Sequence, residues 1–148
     1  GFEFHPAIYQ RREEINAIVH THGFWGTALA GHARPLKIRR NLACFFHEDQ
    51  AISPDDSFAS IGEVIGTANT IIIPWHGCIT VGTTIGRATA LHQTLEEMAK
   101  LDVTLESSNA PELPKEWRDK IKNLIDAEAH YLEQTWDLMQ RKINAKEN

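Results

Sequence analysis

Hydrophobic and polar positions alternate with different periods along the chain, and the first part of the pattern predicts strands and short helices. Residues 17–22 (AIVHTH) are largely β-branched and flanked by polar positions, which is typical of a strand. In a strand, His20 and His22 would point to the same face. Residues 23–30 (GFWGTALA) predict a helix directly after this strand, and a further helix is expected to begin with Ser53 as its N-cap.

The middle of the chain carries the strongest strand signal. The isoleucine run in residues 69–75 (NTIIIPW) predicts a strand that is buried on both faces, and residues 78–81 predict its neighbour. A long helix capped by Thr83 should follow, because apolar residues then recur in steps of three and four.

The long helix and the segment after it are amphipathic. Glu96, Glu97 and Lys100 are predicted to lie on the solvent-facing side of the long helix. Helical spacing returns after the proline-containing linker at 109–114 and predicts one last helix, which packs on the domain or on a neighbouring subunit. The pattern therefore divides the chain into a domain over residues 1–108 and a C-terminal helical extension over residues 109–148.

Composition and charge narrow the range of partners. The 148 residues carry 15 basic and 20 acidic side chains, a formal net charge of −5, without a block of lysine or arginine. Nucleic acid is not an expected partner, because phosphate binding needs clustered positive charge. Every apolar stretch is shorter than the roughly 20 residues that span a bilayer, so a membrane is not expected either. Two cysteines without CxxC spacing indicate buried, reduced thiols in a cytoplasmic protein.

Histidine placement is the most informative chemical feature of the chain. His20 and His22 form a His-x-His pair on one face of the predicted strand, where they would either share a metal ion or form a buried, hydrogen-bonded pair. His76 interrupts the isoleucine-rich strand beside Gly77, which permits an unusual backbone angle and a close approach. This third histidine favours metal binding. Three neutral imidazoles leave coordination positions for water and substrate, which is typical of a catalytic site.

Two stretches of the chain resemble the class II aldolase and adducin family. They are GFEFHPAIYQRREEINAIVHTHG at residues 1–23 and IIIPWHGCITVGTTIGRATALHQTLEEMAKL at residues 71–101. The hallmarks occur in the family's order: a histidine before an AIY-like helix, a His-x-His strand, and a histidine–glycine turn followed by a strand, a glycine and a long helix. The resemblance implies a three-layer α/β/α sandwich around a central, mostly antiparallel sheet that lacks its N-terminal part, and a homotetramer.

The same resemblance implies a metal centre. By it, His20, His22 and His76 hold one divalent metal ion per subunit, with Zn²⁺ as the expected ion and Fe²⁺ or Mn²⁺ as alternatives. In the family the ion usually polarises a carbonyl or enediolate oxygen during carbon–carbon cleavage, epimerisation or decarboxylation. The implied partner is a small carbonyl or hydroxy acid substrate.

Proton transfer needs an acid/base group, for which the sequence offers three candidates. The family's acid/base glutamate falls at Gly1 in this chain, and Glu3 is a nearby carboxylate. His47 and Glu48, in a loop before a predicted helix, are the other two candidates.

Aromatic residues beside the histidines indicate which substrates would fit. Phe24 and Trp25 follow the His-x-His pair, and Trp75 stands where the family carries asparagine. These three side chains are expected to bind the substrate, and they suggest a flat aromatic or alkyl carboxylic acid.

Three functions follow from the sequence. The leading hypothesis is a divalent-metal-dependent lyase of class II aldolase type, which performs aldol cleavage or decarboxylation of a small carbonyl or hydroxy acid. The first alternative is a non-heme iron oxygenase or oxidative decarboxylase of an aromatic 2-oxo or 2-hydroxy acid, which Trp25 and Trp75 favour. The second is a non-catalytic, adducin-like assembly module, because adducin resembles this chain in carrying glycine at the position of Gly1.

Overall fold

A four-stranded mixed sheet forms the centre of the protein in the computed structural model, which describes residues 4–127 and 130–146. The spatial order of the strands is β1-β4-β3-β2. β4 pairs antiparallel with β1 and with β3, whereas β2 pairs parallel with β3, so the sheet is mostly antiparallel as expected. The strands are β1 (Ala17–Thr21), β2 (Gln50–Ile52), β3 (Thr70–Ile73) and β4 (Gly77–Gly82).

Helices cover both faces of the sheet. α1 and α3 lie on one face, and α2, α4 and α6 contribute to the core on the other. Within the described residues, the helices lack the combination of length and apolar character that crossing a membrane requires. The helices are α1 (Phe4–Tyr9), α2 (Phe24–Gly31), α3 (Phe58–Val64), α4 (Ile85–Leu105), α5 (Lys115–Ala127) and α6 (His130–Asn144), with 3₁₀ helices at Asn41–Phe46 and Glu106–Ser108.

Alternation along β3 explains why its sequence is continuously apolar. Ile71 and Ile73 pack into the cluster formed with α1 and α3, while Ile72 packs into the cluster formed with α2 and α4. All three side chains are buried, so neither face of this strand meets solvent. The three-layer α/β/α arrangement expected from the sequence is therefore confirmed.

Two predicted helix starts were wrong. α3 begins after Ser57 rather than at Ser53, and α4 is capped by Thr84 rather than Thr83. In both helices the capping hydroxyl accepts a hydrogen bond from the amide of the helix's third residue. Ser53 is fully buried, and its hydroxyl donates to a carbonyl in the loop before α3 instead.

In the C-terminal segment, where the sequence predicts one helix, the described residues form α5 up to Ala127 and α6 from His130, and residues 128 and 129 between them lie outside the described residues. Leu132 of α6 is buried in the core cluster of α2 and α4, and Ile121 and Ile125 of α5 pack against the same cluster. A Cβ added to Gly86 of α4 would lie 2.7 Å from a ring carbon of Trp136, so the two helices approach closely there. Both helices of this segment thus contact the core of their own chain.

Candidate metal centre

The three histidines named in the sequence analysis meet at one end of the sheet. His20 lies in β1, His22 follows the end of that strand, and His76 occupies the turn between β3 and β4. The antiparallel register pairs Thr21 with Cys78, which brings the end of β1 to the start of β4. One ring nitrogen from each histidine lies within 4.8 Å of those of the other two.

Hydrogen bonding at His20 directs one ring nitrogen toward its neighbours. Nδ1 lies 3.0 Å from the Cys78 carbonyl oxygen, which only accepts, so Nδ1 carries the proton and donates. Nε2 is left without a proton and lies 3.1 Å from Nε2 of His22. Two imidazole nitrogens each about 2.1 Å from one tetrahedral ion would lie roughly 3.4 Å apart, so the observed spacing fits a shared ion.

Burial favours the neutral form of His20. It lowers the pKa of that ring below its usual value, and the neighbouring His22 and His76 act in the same direction. Because a metal ion binds the neutral imidazole, the environment keeps His20 ready to act as a ligand.

The turn that carries His76 contains a strained residue. The His76 amide donates to the Ile73 carbonyl at 3.0 Å, which places Pro74 and Trp75 at the two central positions of a tight turn. Trp75 has a φ of 59°, in the left-handed region, where a bulky residue costs roughly 1–2 kcal/mol. Its amide donates to the Ala30 carbonyl of α2 at 3.0 Å, so α2 helps to hold the strained turn.

Gly77 provides the space that the histidines need. An added Cβ would lie 2.6 Å from the Thr21 carbonyl oxygen and 3.0 Å from Cδ2 of His22. The close approach expected at this glycine is therefore present. The positive φ expected beside His76 belongs to Trp75 instead.

His92 is a buried imidazole on the opposite side of β1 from His20. Its Nε2 lies 2.7 Å from Thr21 Oγ1, and its Nδ1 lies 3.1 Å from Thr80 Oγ1. The Thr80 hydroxyl donates to the Ala88 carbonyl, so it accepts from Nδ1–H, and Nε2 accepts from the Thr21 hydroxyl. Burial lowers the pKa of His92 to about 4, so the ring is neutral at pH 7.

His47 and Glu48 lie at the other end of the sheet from the three histidines. They precede β2, which pairs with the start of β3, whereas His76 follows the end of β3. His47 Nε2 lies 2.7 Å from a carboxylate oxygen of Asp119 in α5, and Lys115 donates to the other oxygen. Within one chain the structure does not bring this pair to the histidines, and His47 links the loop before β2 to α5.

The three predicted substrate-binding aromatics differ in exposure. Phe24 and Trp75 are 76% and 77% exposed, each within two residues of a histidine of the centre. Trp25 is partly buried against the core cluster of α2 and α4, and the Lys100 ammonium lies 5.7 Å from its ring centroid. Phe24 and Trp75 are thus open to a substrate, whereas Trp25 is engaged inside the chain.

One carboxylate near the centre was missed by the sequence analysis. Asp56 lies in the loop before α3, and its Oδ2 is 3.8 Å from Nδ1 of His76. It is exposed and follows no periodic pattern, so only the fold reveals its position. Glu3, the sequence candidate for acid/base chemistry, lies outside the described residues.

Comparisons with known proteins identify the family to which the chain is similar. The family described as Class II Aldolase and Adducin N-terminal domain matches residues 1–103. An L-fuculose phosphate aldolase from Methanococcus maripaludis is 34% identical over 102 residues, which cover 66% of this chain and 56% of that protein. A 4-hydroxy-3-prenylphenylpyruvate oxygenase/4-hydroxy-3-prenylbenzoate synthase from Streptomyces roseochromogenus is 29% identical over 96 residues, which cover 60% of this chain and 35% of that protein.

Solved structures share the same fold along nearly the whole chain. An L-fuculose 1-phosphate aldolase from Glaciozyma antarctica superposes with a TM-score of 0.88 and 25% identity over 98% of this chain and 59% of its own. The chain spans about half the length of the curated relatives it matches.

Proposed function

This chain belongs to the class II aldolase and adducin family, and on that premise we propose that it acts as a divalent-metal-dependent lyase. His20, His22 and His76 would hold one ion per subunit, with Zn²⁺ as the expected ion. The supporting observation is the convergence of three imidazole nitrogens within 4.8 Å. The substrate would be a small carbonyl or hydroxy acid, and the reaction aldol cleavage or decarboxylation.

The residues around the histidines suit such chemistry. A bound divalent ion supplies Lewis-acid polarisation of a substrate carbonyl oxygen. The Asp56 carboxylate lies 3.8 Å from Nδ1 of His76, beyond hydrogen-bond distance, and places a negative charge beside the centre. Phe24 and Trp75 offer exposed apolar surfaces for the carbon skeleton of a substrate. Glu3 remains our proposal for the acid/base group. Among the described residues, Asp56 is a carboxylate that lies beside the centre and is a second candidate for that role.

A non-heme iron oxygenase or oxidative decarboxylase of an aromatic 2-oxo or 2-hydroxy acid is the alternative function. It is favoured by the relative named as a 4-hydroxy-3-prenylphenylpyruvate oxygenase, and by the exposed Phe24 and Trp75. Imidazole ligands with open coordination positions suit Fe²⁺ as well as Zn²⁺, so the donor set alone does not select the reaction.

Metal content and three reactions distinguish these functions. The metal is measured in protein purified without added ions. The reactions are cleavage of L-fuculose 1-phosphate, CO₂ release from 2-oxo and 2-hydroxy acids in the absence of O₂, and O₂ consumption with aromatic 2-oxo and 2-hydroxy acids. Zinc or manganese together with cleavage or CO₂ release would support the lyase. Iron together with O₂ consumption would support the oxygenase.

Two matched variants complete the experiment. His76→Ala should lose the ion, whereas His32→Ala, at an exposed position just after α2, should retain it. A metal-free wild type, with no loss of function in His20→Ala, would contradict both enzymatic functions and leave the adducin-like assembly module.

We further propose a cytoplasmic homotetramer, as the family resemblance implies. Sedimentation equilibrium should then give four times the subunit mass. A monomeric mass at micromolar concentration would contradict this assembly.

A further inference from the structure

Side chains of α4 contact the segment that carries two of the three histidines. We propose that Thr21, His92 and Glu96 are positioning residues, which hold His20 and His22 in the geometry that metal binding requires. This inference rests on the proposed function, because it assigns these residues a role toward the metal centre.

Thr21 fixes the backbone between His20 and His22. Its side chain points to the opposite face of β1 from His20, where its hydroxyl donates to Nε2 of the buried His92 at 2.7 Å. The same oxygen accepts a hydrogen bond from the Gly23 amide at 3.1 Å. The hydroxyl therefore ties the residues on both sides of His22 to α4.

Glu96 holds the start of α2, two residues after His22. One carboxylate oxygen accepts from the Trp25 amide at 3.1 Å, and the other accepts from the Gly26 amide at 2.9 Å. The first-turn amides of a helix have no partners within the helix, and a carboxylate is a favourable acceptor there. Glu96, which lies 70 positions after Gly26 in the chain, thus takes the place of a local N-cap, because Gly23 at the N-cap position has no side chain.

Two glycines beside the His-x-His pair leave room for this carboxylate. A Cβ added to Gly23 or to Gly26 would collide with an Oε atom of Glu96. Helical periodicity predicts Glu96 on the solvent-facing side of α4, and this prediction was wrong because the carboxylate reaches into the space beside Gly23 and Gly26. The Glu96 carboxylate is therefore held in place both by its hydrogen bonds to the first turn of α2 and by the space that Gly23 and Gly26 leave for it.

The arrangement has a consequence for metal affinity. The link between β1 and α2 is short, so loss of either α4 contact gives His22 more ways to orient its ring. Residues that hold metal ligands in place typically change metal affinity 10- to 100-fold when they are replaced. A purely structural role would instead change the free energy of unfolding and leave the coordination geometry of the folded protein unaltered.

Cobalt binding tests the proposal, because the visible absorption of Co²⁺ reports both affinity and coordination geometry. Glu96→Gln and Thr21→Val both keep the side-chain shape. Glu96→Gln removes the negative charge and one of the two acceptor oxygens, because its NH₂ group only donates, and Thr21→Val removes the hydroxyl. Both are expected to weaken Co²⁺ binding 10- to 100-fold and to change the absorption bands. Glu97→Gln, at the adjacent exposed position of α4, is the matched control and should bind within twofold of the wild type. Affinity within twofold and unchanged bands in both test variants would overturn the proposal.

Amide hydrogen exchange and imidazole ¹⁵N spectra of the metal-free protein give a readout that does not need an ion. Glu96→Gln should accelerate exchange at Trp25 and Gly26 at least tenfold and broaden the ring signals of His22. If the wild type binds no Co²⁺, the proposed function fails, and unchanged exchange and ring signals in Glu96→Gln would separately overturn the positioning role. Glu96→Asp, which keeps the charge but shortens the reach, replaces Glu96→Gln in all measurements if that variant does not fold.

Discussion

Burial of His92 makes the stability of the metal-free protein depend on pH. The side chain is 5% exposed, and burial lowers its pKa from the usual 6.5 to about 4, with the charge of His20 acting in the same direction. The unfolded chain therefore takes up a proton near pH 6.5, while the folded protein does so only near pH 4. The stability that this difference provides is fully present above pH 6.5 and is lost as the pH falls to about 4. At about 1.4 kcal/mol per pH unit, the loss amounts to roughly 3 kcal/mol.

Urea unfolding of the wild type and of His92→Gln, with a chelator present, isolates this effect. Other groups titrate in both proteins, so their contributions cancel in the difference between the two free energies of unfolding. We expect that difference to shrink by roughly 3 kcal/mol between pH 7 and pH 4. Thr94→Ser, a neutral change at a buried position of α4, should show a constant difference over the same range. A constant difference for His92→Gln as well would refute the reasoning.

Three further predictions concern the turn and the core. Gly77→Ala should destabilise the protein by about 1–3 kcal/mol in urea unfolding and weaken Co²⁺ binding, because the new Cβ meets the Thr21 carbonyl; unchanged affinity would contradict this. Trp75→Asn should raise the melting temperature by roughly 2–4 °C, since asparagine tolerates a positive φ and the exposed indole loses little packing; a lower melting temperature would argue against strain. Asp102→Asn should cost about 3 kcal/mol in urea unfolding, because it removes the buried carboxylate that Arg34 and Arg39 share and leaves Glu106 to balance both guanidinium groups; a loss below 1 kcal/mol would be inconsistent with that pairing.

Secondary structure could be predicted from the sequence where it depends on the local pattern of apolar residues. The isoleucines of β3 alternate between the two core clusters, so a strand buried on both faces could be predicted from residues 71–73 alone. The start of α3 could not be predicted in this way, because Ser53 and Ser57 are both serines and either hydroxyl could cap a helix. The choice between them depends on burial of Ser53, which is a property of the whole fold.

The residues of the candidate site, too, could be predicted from the sequence only in part. Strand periodicity predicts that His20 and His22 are close together, whereas their meeting with His76 was implied by the family resemblance and depends on the pairing of β1 with β4. Glu96 could not be assigned from periodicity, because a charged residue that accepts amide hydrogen bonds looks identical to a solvent-exposed one in a helical pattern. His47 was considered for acid/base chemistry from sequence alone, and the strand order places it at the other end of the sheet.

α2 connects the two segments that carry the histidines. Its first turn is held by Glu96, directly after His22, and its last turn accepts the amide of Trp75, directly before His76. A shift of this helix would therefore move the His-x-His pair and the turn together. Because the helix is eight residues long and its Leu29 is fully buried, it transmits such a shift as a rigid unit rather than absorbing it. We therefore expect the spacing of the three imidazoles to depend on how α2 packs on α4, so substitutions at that interface should alter metal affinity without touching a proposed ligand.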